Sequence, residues 1–145
     1  MDTLDREILT ELRRNARISF RDLGVRVGLS ANACADRVRR LERDGVVTGY
    51  TALVNESAAG VRIVVLMDVR LRPGTPAKTF EDVIVQMPAV TDGEHLTGHF
   101  DYQLRVACKD VAELDGIIHT LKTSAGVIET SSRLALRVVV HRGGP

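Results

Sequence analysis

An α+β fold is predicted for this chain: an N-terminal helix-turn-helix, winged-helix-like domain followed by a ferredoxin-like βαββαβ domain. Three observations predict it. Residues 1–44 repeat their apolar positions at helical spacings of three and four, whereas beyond residue 60 strand-like apolar runs interleave with two helical patterns. Between them, residues 55–60 (NESAAG) are small and polar, which marks a hinge. The expected division is therefore residues 1–54 as the helix-turn-helix domain with a β linker, 55–60 as the hinge, and 61–145 as the ferredoxin-like domain.

In the first helix Leu4, Ile8 and Leu12 recur every four residues, and Asp2 or Thr3 can cap a helix running to about Asn15. Ser19 followed by Asp22 fits a capping box, after which Phe20, Leu23 and Val27 fall at i, i+3 and i+7 on one apolar face. Gly28 ends that helix, as a residue free to adopt positive φ does. Ser30 caps the third helix, whose buried stripe is Cys34, Val38 and Leu41. Two short helices joined by Gly28-Leu29-Ser30 make a helix-turn-helix, a unit that lays its second helix in the major groove of DNA.

At about 100° per residue, Asn32, Asp36, Arg39, Arg40 and Arg43 lie roughly opposite that stripe, with Ala33 and Arg37 on one flank. An isolated basic helix is ordinarily a solvated surface; the capped helix and glycine turn ahead of it favour a reader of DNA. Asn suits adenine, Arg suits guanine and Asp can accept from cytosine, so Asn32, Asp36, Arg37 and Arg40 are the candidates for base edges. Arg39 and Arg43, with Arg21 or Arg26 of the preceding helix, are the candidates for phosphate. Ser30 and Ala33 complete the DNA-binding set. Asp36 and Glu42 can also form local pairs with these arginines. The basic signal is local: residues 1–50 hold ten Arg against eight acidic residues, +2, and the remainder ten basic against eleven acidic, −1, matching the net charge of +1.

Gly45 breaks the third helix. Residues 46–55 (VVTGYTALVN), rich in β-formers around Gly49, read as a short wing or as a strand tethering the two domains. Val61, Ile63, Val65, Met67, Val69 and Leu71 share one side of a nearly continuous apolar run, as expected of a central strand. Pro73-Gly74-Thr75-Pro76 turns the chain into a helix with Phe80, Val83, Ile84 and Met87, stopped by Pro88. Residues 90–97 and 102–108 read as strands joined at Gly98-His99-Phe100-Asp101. Asp110 and Glu113 cap a helix with Leu114, Ile117, Ile118 and Leu121, which Gly126 ends, and residues 127–140 form a last, long strand. Strand-helix-strand-strand-helix-strand is the split βαβ arrangement, with helices on one face of the sheet. Strands as apolar as 61–71 and 134–140 would leave a large exposed patch on the other face, which a partner subunit would cover.

A chain of 145 residues with 44% hydrophobic content builds one good core or two small ones. It has no run of eighteen apolar residues and no charged lead before an apolar stretch, so neither membrane contact nor secretion is expected, and the location expected is cytoplasmic. Cys34 and Cys108 fit a reducing compartment as small buried hydrophobes. The histidines at 95, 99, 119 and 141 are scattered, so no metal, cofactor or catalytic set is expected.

The chain resembles the Lrp/AsnC, or feast/famine, family of transcriptional regulators over essentially its whole length. The resemblance rests on Asp2 and Asp5-Arg6-Glu7-Ile8-Leu9, on Gly28-Leu29-Ser30, on Arg37-Val38-Arg39-Arg40-Leu41-Glu42, on Gly49-Tyr50-Thr51-Ala52, and on Gly98-x-x-Asp101. It implies homodimers assembled through the second domain, joined into tetramers or octamers, and regulation by an amino acid or similar small effector at subunit contacts. The family's effector loop maps onto Thr97, Gly98, His99, Phe100 and Asp101. Asp101 would accept an ammonium and amides near Gly98 a carboxylate; the alternative is a plain β-turn in which Asp101 bonds its own backbone. His99 departs from the small or acidic residue common there in the family. A dimer presents two reading helices, so the partner expected is double-stranded DNA with a pseudo-palindromic site. The alternatives are an enzyme of the siroheme decarboxylase type using His95 and His99, and an architectural DNA-binding protein that senses no effector; an acylphosphatase-like activity is disfavoured, because the second domain has no Asn and no phosphate-cradling glycine loop.

Overall fold

A computed structural model describes residues 1–137. The chain divides into two compact units, the first Met1–Leu53 and the second beginning at Val54.

The first unit packs α1 (Thr3–Arg14), α2 (Phe20–Val27) and α3 (Ala31–Arg43) around Ile8, Leu23, Val27, Cys34, Val38 and Leu41. Each helix starts on a side chain that satisfies an orphan amide: Asp2 accepts from Asp5 N, Ser19 from Asp22 N, and Ser30 from Ala33 N. The turn between α2 and α3 is set by two glycines. Gly28 caps α2 with φ of 70°, and Gly24 lies so close to the turn that a Cβ there would sit 2.5 Å from the Leu29 carbonyl oxygen. Phe20, expected on the buried face, is 40% exposed; in the first position of α2 it lies ahead of the core that Leu23 and Val27 reach.

Residues 46–55 form neither a wing nor a tethering strand. β-forming side chains need a neighbouring strand to complete a ladder, and this all-helical unit offers none. Val47 instead packs on the helical core, and the Tyr50 hydroxyl bonds Glu42 at 2.7 Å.

The second unit is an antiparallel sheet in the order β2-β3-β1-β4, built from β1 (Ile63–Leu71), β2 (Val90–His95), β3 (Tyr102–Cys108) and β4 (Val127–Leu134), with α4 (Ala77–Ile84) and α5 (Val111–Ser124) on one face. β1 and β3 are central, as the apolar run predicts. Val65, Met67 and Val69 of β1 meet Leu104, Val106, Phe80, Ile117 and Leu121 in one core. Four boundaries differ from expectation. β1 begins at Ile63, after the 56–60 turn; α4 ends at Ile84, before Met87; β2 ends at His95, where the loop to β3 opens; β4 ends at Leu134, residues 135–137 of the expected strand being irregular and residues 138–140 lying outside the described residues.

Among the described residues, the opposite face of the sheet is more polar than the apolar patch expected. Strand alternation turns Asp68 and Arg70 out of the β1 run beside Leu66, and register sets Arg105 and Arg133 across from Leu66 and Glu129 across from Arg70. Asp68 accepts from Gln103 at 2.8 Å and Arg133 at 2.7 Å, and Glu56 holds Arg105 by both carboxylate oxygens at 2.6 and 3.0 Å.

Candidate DNA-reading helix and effector cleft

Helix α3 presents two distinct surfaces besides its core stripe. Asn32, Asp36, Arg39 and Arg43 recur at i, i+4, i+7 and i+11 and are all exposed, forming one outward line. Ser30 stands at the leading end of the helix, also exposed, where its hydroxyl oxygen accepts from Ala33 N at 3.2 Å. Within the line Arg39 meets Asp36 at 3.2 Å, and Arg43 lies 3.6 Å from Asp44, both exposed contacts that exchange readily for phosphate. Ala33, Arg37 and Arg40 form the flank.

That flank turns toward α1, and two of the arginines expected at base edges are claimed there. Arg37 Nη1 bonds Asp2 at 2.6 Å and Asp5 at 2.8 Å, and Arg40 Nη2 bonds both Asp5 oxygens at 2.9 Å. Asp5 is 1% exposed and Arg37 only 25%, whereas Arg40 keeps 44% of its side chain open. The same carboxylates close the α1 capping box, with Asp2 N donating to Asp5 at 3.0 Å and Asp5 N to Asp2 at 2.9 Å. The bond from Asp2 N holds the Asp5 carboxyl below the usual aspartate range against the opposing effect of burial, and the Arg37 guanidinium does the same for Asp2. Sequence reasoning missed this pairing because residues 5 and 37 meet only through the tertiary fold. Helical spacing places Ala33 and Arg37 on the flank but puts Arg40 with the outward residues, whereas Arg40 turns to Asp5 beside Arg37.

The two phosphate candidates on α2 also differ. Arg26 bonds Glu11 of α1, which also accepts from Arg14 at 2.9 Å, so Glu11 ties α1 to α2. Arg21 is exposed on the first turn.

In the second unit the 97–101 loop is anchored by Asp101. Its N–H donates to the Val69 carbonyl at 2.8 Å, its carbonyl accepts from Leu96 N at 2.8 Å, and its Oδ2 accepts from Leu71 N at 2.7 Å. The carboxylate expected to receive a ligand ammonium thus has one oxygen bound to the end of β1, and it bonds a neighbouring strand rather than its own turn. Gly98 carries the loop through φ of 117°, and His99 sits edge-on to Phe100 at 4.8 Å.

Beside this loop is a cleft of about 450 Å³. His99 and Asp101 line it; Thr97, Gly98 and Phe100, the other expected effector contacts, do not. Its remaining wall includes Arg70 and Arg72 at the end of β1, Thr75 and Ala77 at the start of α4, and His95. The His95 ring stacks on Tyr102 at 4.5 Å, and the Tyr102 hydroxyl bonds Glu81 at 2.8 Å; burial first, then that bond, pushes the phenol up to about 12. His95 and His99 therefore belong to packing and cleft wall. The cysteines are buried and unbridged, and burial pushes both thiols up, which suits packing rather than reaction.

Comparison with known proteins covers both units. Residues 1–48 match a winged helix-turn-helix DNA-binding family, and residues 64–145 match the Lrp/AsnC ligand binding domain. The leucine-responsive regulatory protein of Escherichia coli K12 is 34% identical over 142 residues, covering 96% of this chain and 87% of that protein. Two solved structures superpose closely at 28% identity. An AsnC family transcriptional regulator from Agrobacterium tumefaciens has a TM-score of 0.90, covering 100% of this chain and 96% of its own; a transcriptional regulator of Neisseria meningitidis in complex with L-methionine has 0.88, covering 98% and 94%.

Proposed function

The chain belongs to the Lrp/AsnC family of DNA-binding transcriptional regulators, and we propose that it regulates as a homodimer whose two α3 helices read a pseudo-palindromic duplex while an effector cleft in the second domain biases the assembly. The observation that supports the reading role best is the outward line Asn32, Asp36, Arg39 and Arg43, exposed and free of the core. In this reading Asn32 and Asp36 meet base edges, with Ser30 and Ala33 at the leading end; Arg39, Arg43 and Arg21 meet phosphate. Arg37 orients α3 against α1 rather than reading a base, and Arg40 divides itself between Asp5 and the DNA backbone.

A dimer sets the two half-sites about 34–36 Å apart, or a multiple of that. Residues 1–54 serve DNA, 55–60 the hinge, and 61–145 effector and assembly, with dimers joining into tetramers or octamers. The effector reading draws on the L-methionine complex of the Neisseria relative and on the cleft beside the 97–101 loop. The protein works in the cytoplasm, where its DNA is, and without catalysis; among the described residues no helix is long and apolar enough to cross a membrane.

Quantitative footprinting over a randomised operator tests the assignment. Asn32→Ala should relax preference at one base pair of each half-site by about 1–3 kcal/mol, whereas Arg43→Ala should weaken all sequences alike and flatten the salt dependence. Uniform loss from Asn32→Ala would overturn the assignment.

A further inference from the structure

We propose that the cleft selects an anionic effector, a small dicarboxylate of the acidic amino acid type, over a neutral aliphatic amino acid. The inference rests on the effector reading above and concerns what that site takes.

The inventory of hydrogen-bonding groups around the cleft is one-sided. On the donor side, Arg70 Nε is buried and has no acceptor, the one such side-chain atom among the described residues. Glu129 already pairs with that guanidinium at Nη2, 2.8 Å, yet takes no bond from Nε. A buried donor left without an acceptor is unfavourable, and a carboxylate that reaches it relieves this. Arg72 makes a single long bond, 3.4 Å to the Lys122 carbonyl, and no carboxylate pairs with it among the described residues.

The start of α4 adds to this. Its N-cap is Pro76, which provides no side-chain acceptor; Thr79 N bonds the Pro76 carbonyl at 3.0 Å, and no side chain caps the Ala77 end of the helix beside the cleft. Thr75 stands at the same wall. On the acceptor side the lining offers one carboxylate, Asp101, whose Oδ2 Leu71 N already occupies, and the neighbouring Glu129 is engaged by Arg70 at 2.8 Å and lies 3.6 Å from His99 Nε2. A neutral amino acid brings one carboxylate and needs acceptors for its ammonium. An acidic one brings a second carboxylate to match the second arginine, and leaves Asp101 Oδ1 for the ammonium.

Calorimetry on the full chain with L-aspartate, L-glutamate and succinate against L-leucine and L-methionine decides it. The dicarboxylates should bind at least about tenfold tighter than the neutral pair. Arg72→Gln should lose about that factor for dicarboxylates but not for leucine, with Arg72→Lys recovering part of it and the thermal midpoints of both variants recording that they fold. Tighter binding of leucine or methionine, indifferent to Arg72→Gln, would overturn the anionic preference and leave the effector reading standing. If no amino acid binds at all, the effector reading falls, and this inference with it.

Discussion

Asp5 is the residue on which the geometry of the reading helix turns. It closes the α1 capping box and receives both Arg37 and Arg40, while almost wholly buried. Removing its charge leaves two guanidiniums facing a neutral amide, so Asp5→Asn should destabilise the protein by about 1–3 kcal/mol in denaturant unfolding. The pH dependence follows from the lowered carboxyl: its stabilisation is complete above the ordinary aspartate range and is lost as pH falls through the depressed folded value. The wild-type melting temperature should therefore fall more steeply below about pH 4 than that of Asp5→Asn; parallel curves would reject the role. At this scale the sequence was half legible. Helical geometry was enough to put Asn32 and Arg39 outward, but the partners of Arg37 and Arg40 lie more than thirty residues away, beyond the reach of any local pattern.

At the level of elements, the α2–α3 turn separates two kinds of glycine. Gly28 needs its left-handed conformation but has open space around the absent Cβ, whereas Gly24 has ordinary helical geometry and no space. Gly28→Ala should cost about 1 kcal/mol from backbone strain alone. Gly24→Ala forces α2 away from the Leu29 carbonyl and should cost more, about 1–3 kcal/mol, with a matching loss of DNA affinity as α3 shifts. Equal melting temperatures for the two variants would contradict this ordering. The helices were readable because caps and apolar spacing are local signals. The linker was not: residues 46–55 have strand composition, yet a strand exists only where another strand pairs with it. The ends of α4 and β2 slipped for a related reason, since Met87 and Leu96 suit either side of a boundary that the turn decides.

For the whole molecule, the bare face of the sheet is the surface through which the proposed dimer would bear on DNA reading. Its charges pair among themselves, Asp68 with Arg133 and Glu56 with Arg105, leaving Val64, Leu66 and Ala107 as a modest apolar centre. If two copies meet there, Leu66→Arg should yield monomers in sedimentation velocity, and operator affinity should fall steeply because each half-site is then held separately. A dimer unchanged by this substitution would move the interface elsewhere. Strand order and helix placement were foreseeable from the βαββαβ pattern; the polarity of this face required the register.

The Asp5 clamp also bears on how new DNA specificities can be engineered in this protein. Transplanting residues 30–43 from a relative without arginines at these two positions would leave Asp2 and Asp5 with nothing to hold. The smallest exchangeable cassette is α1 together with α3, so a library that diversifies operator preference should vary Asn32, Asp36 and Arg39 and keep positions 2, 5, 37 and 40 fixed as a set.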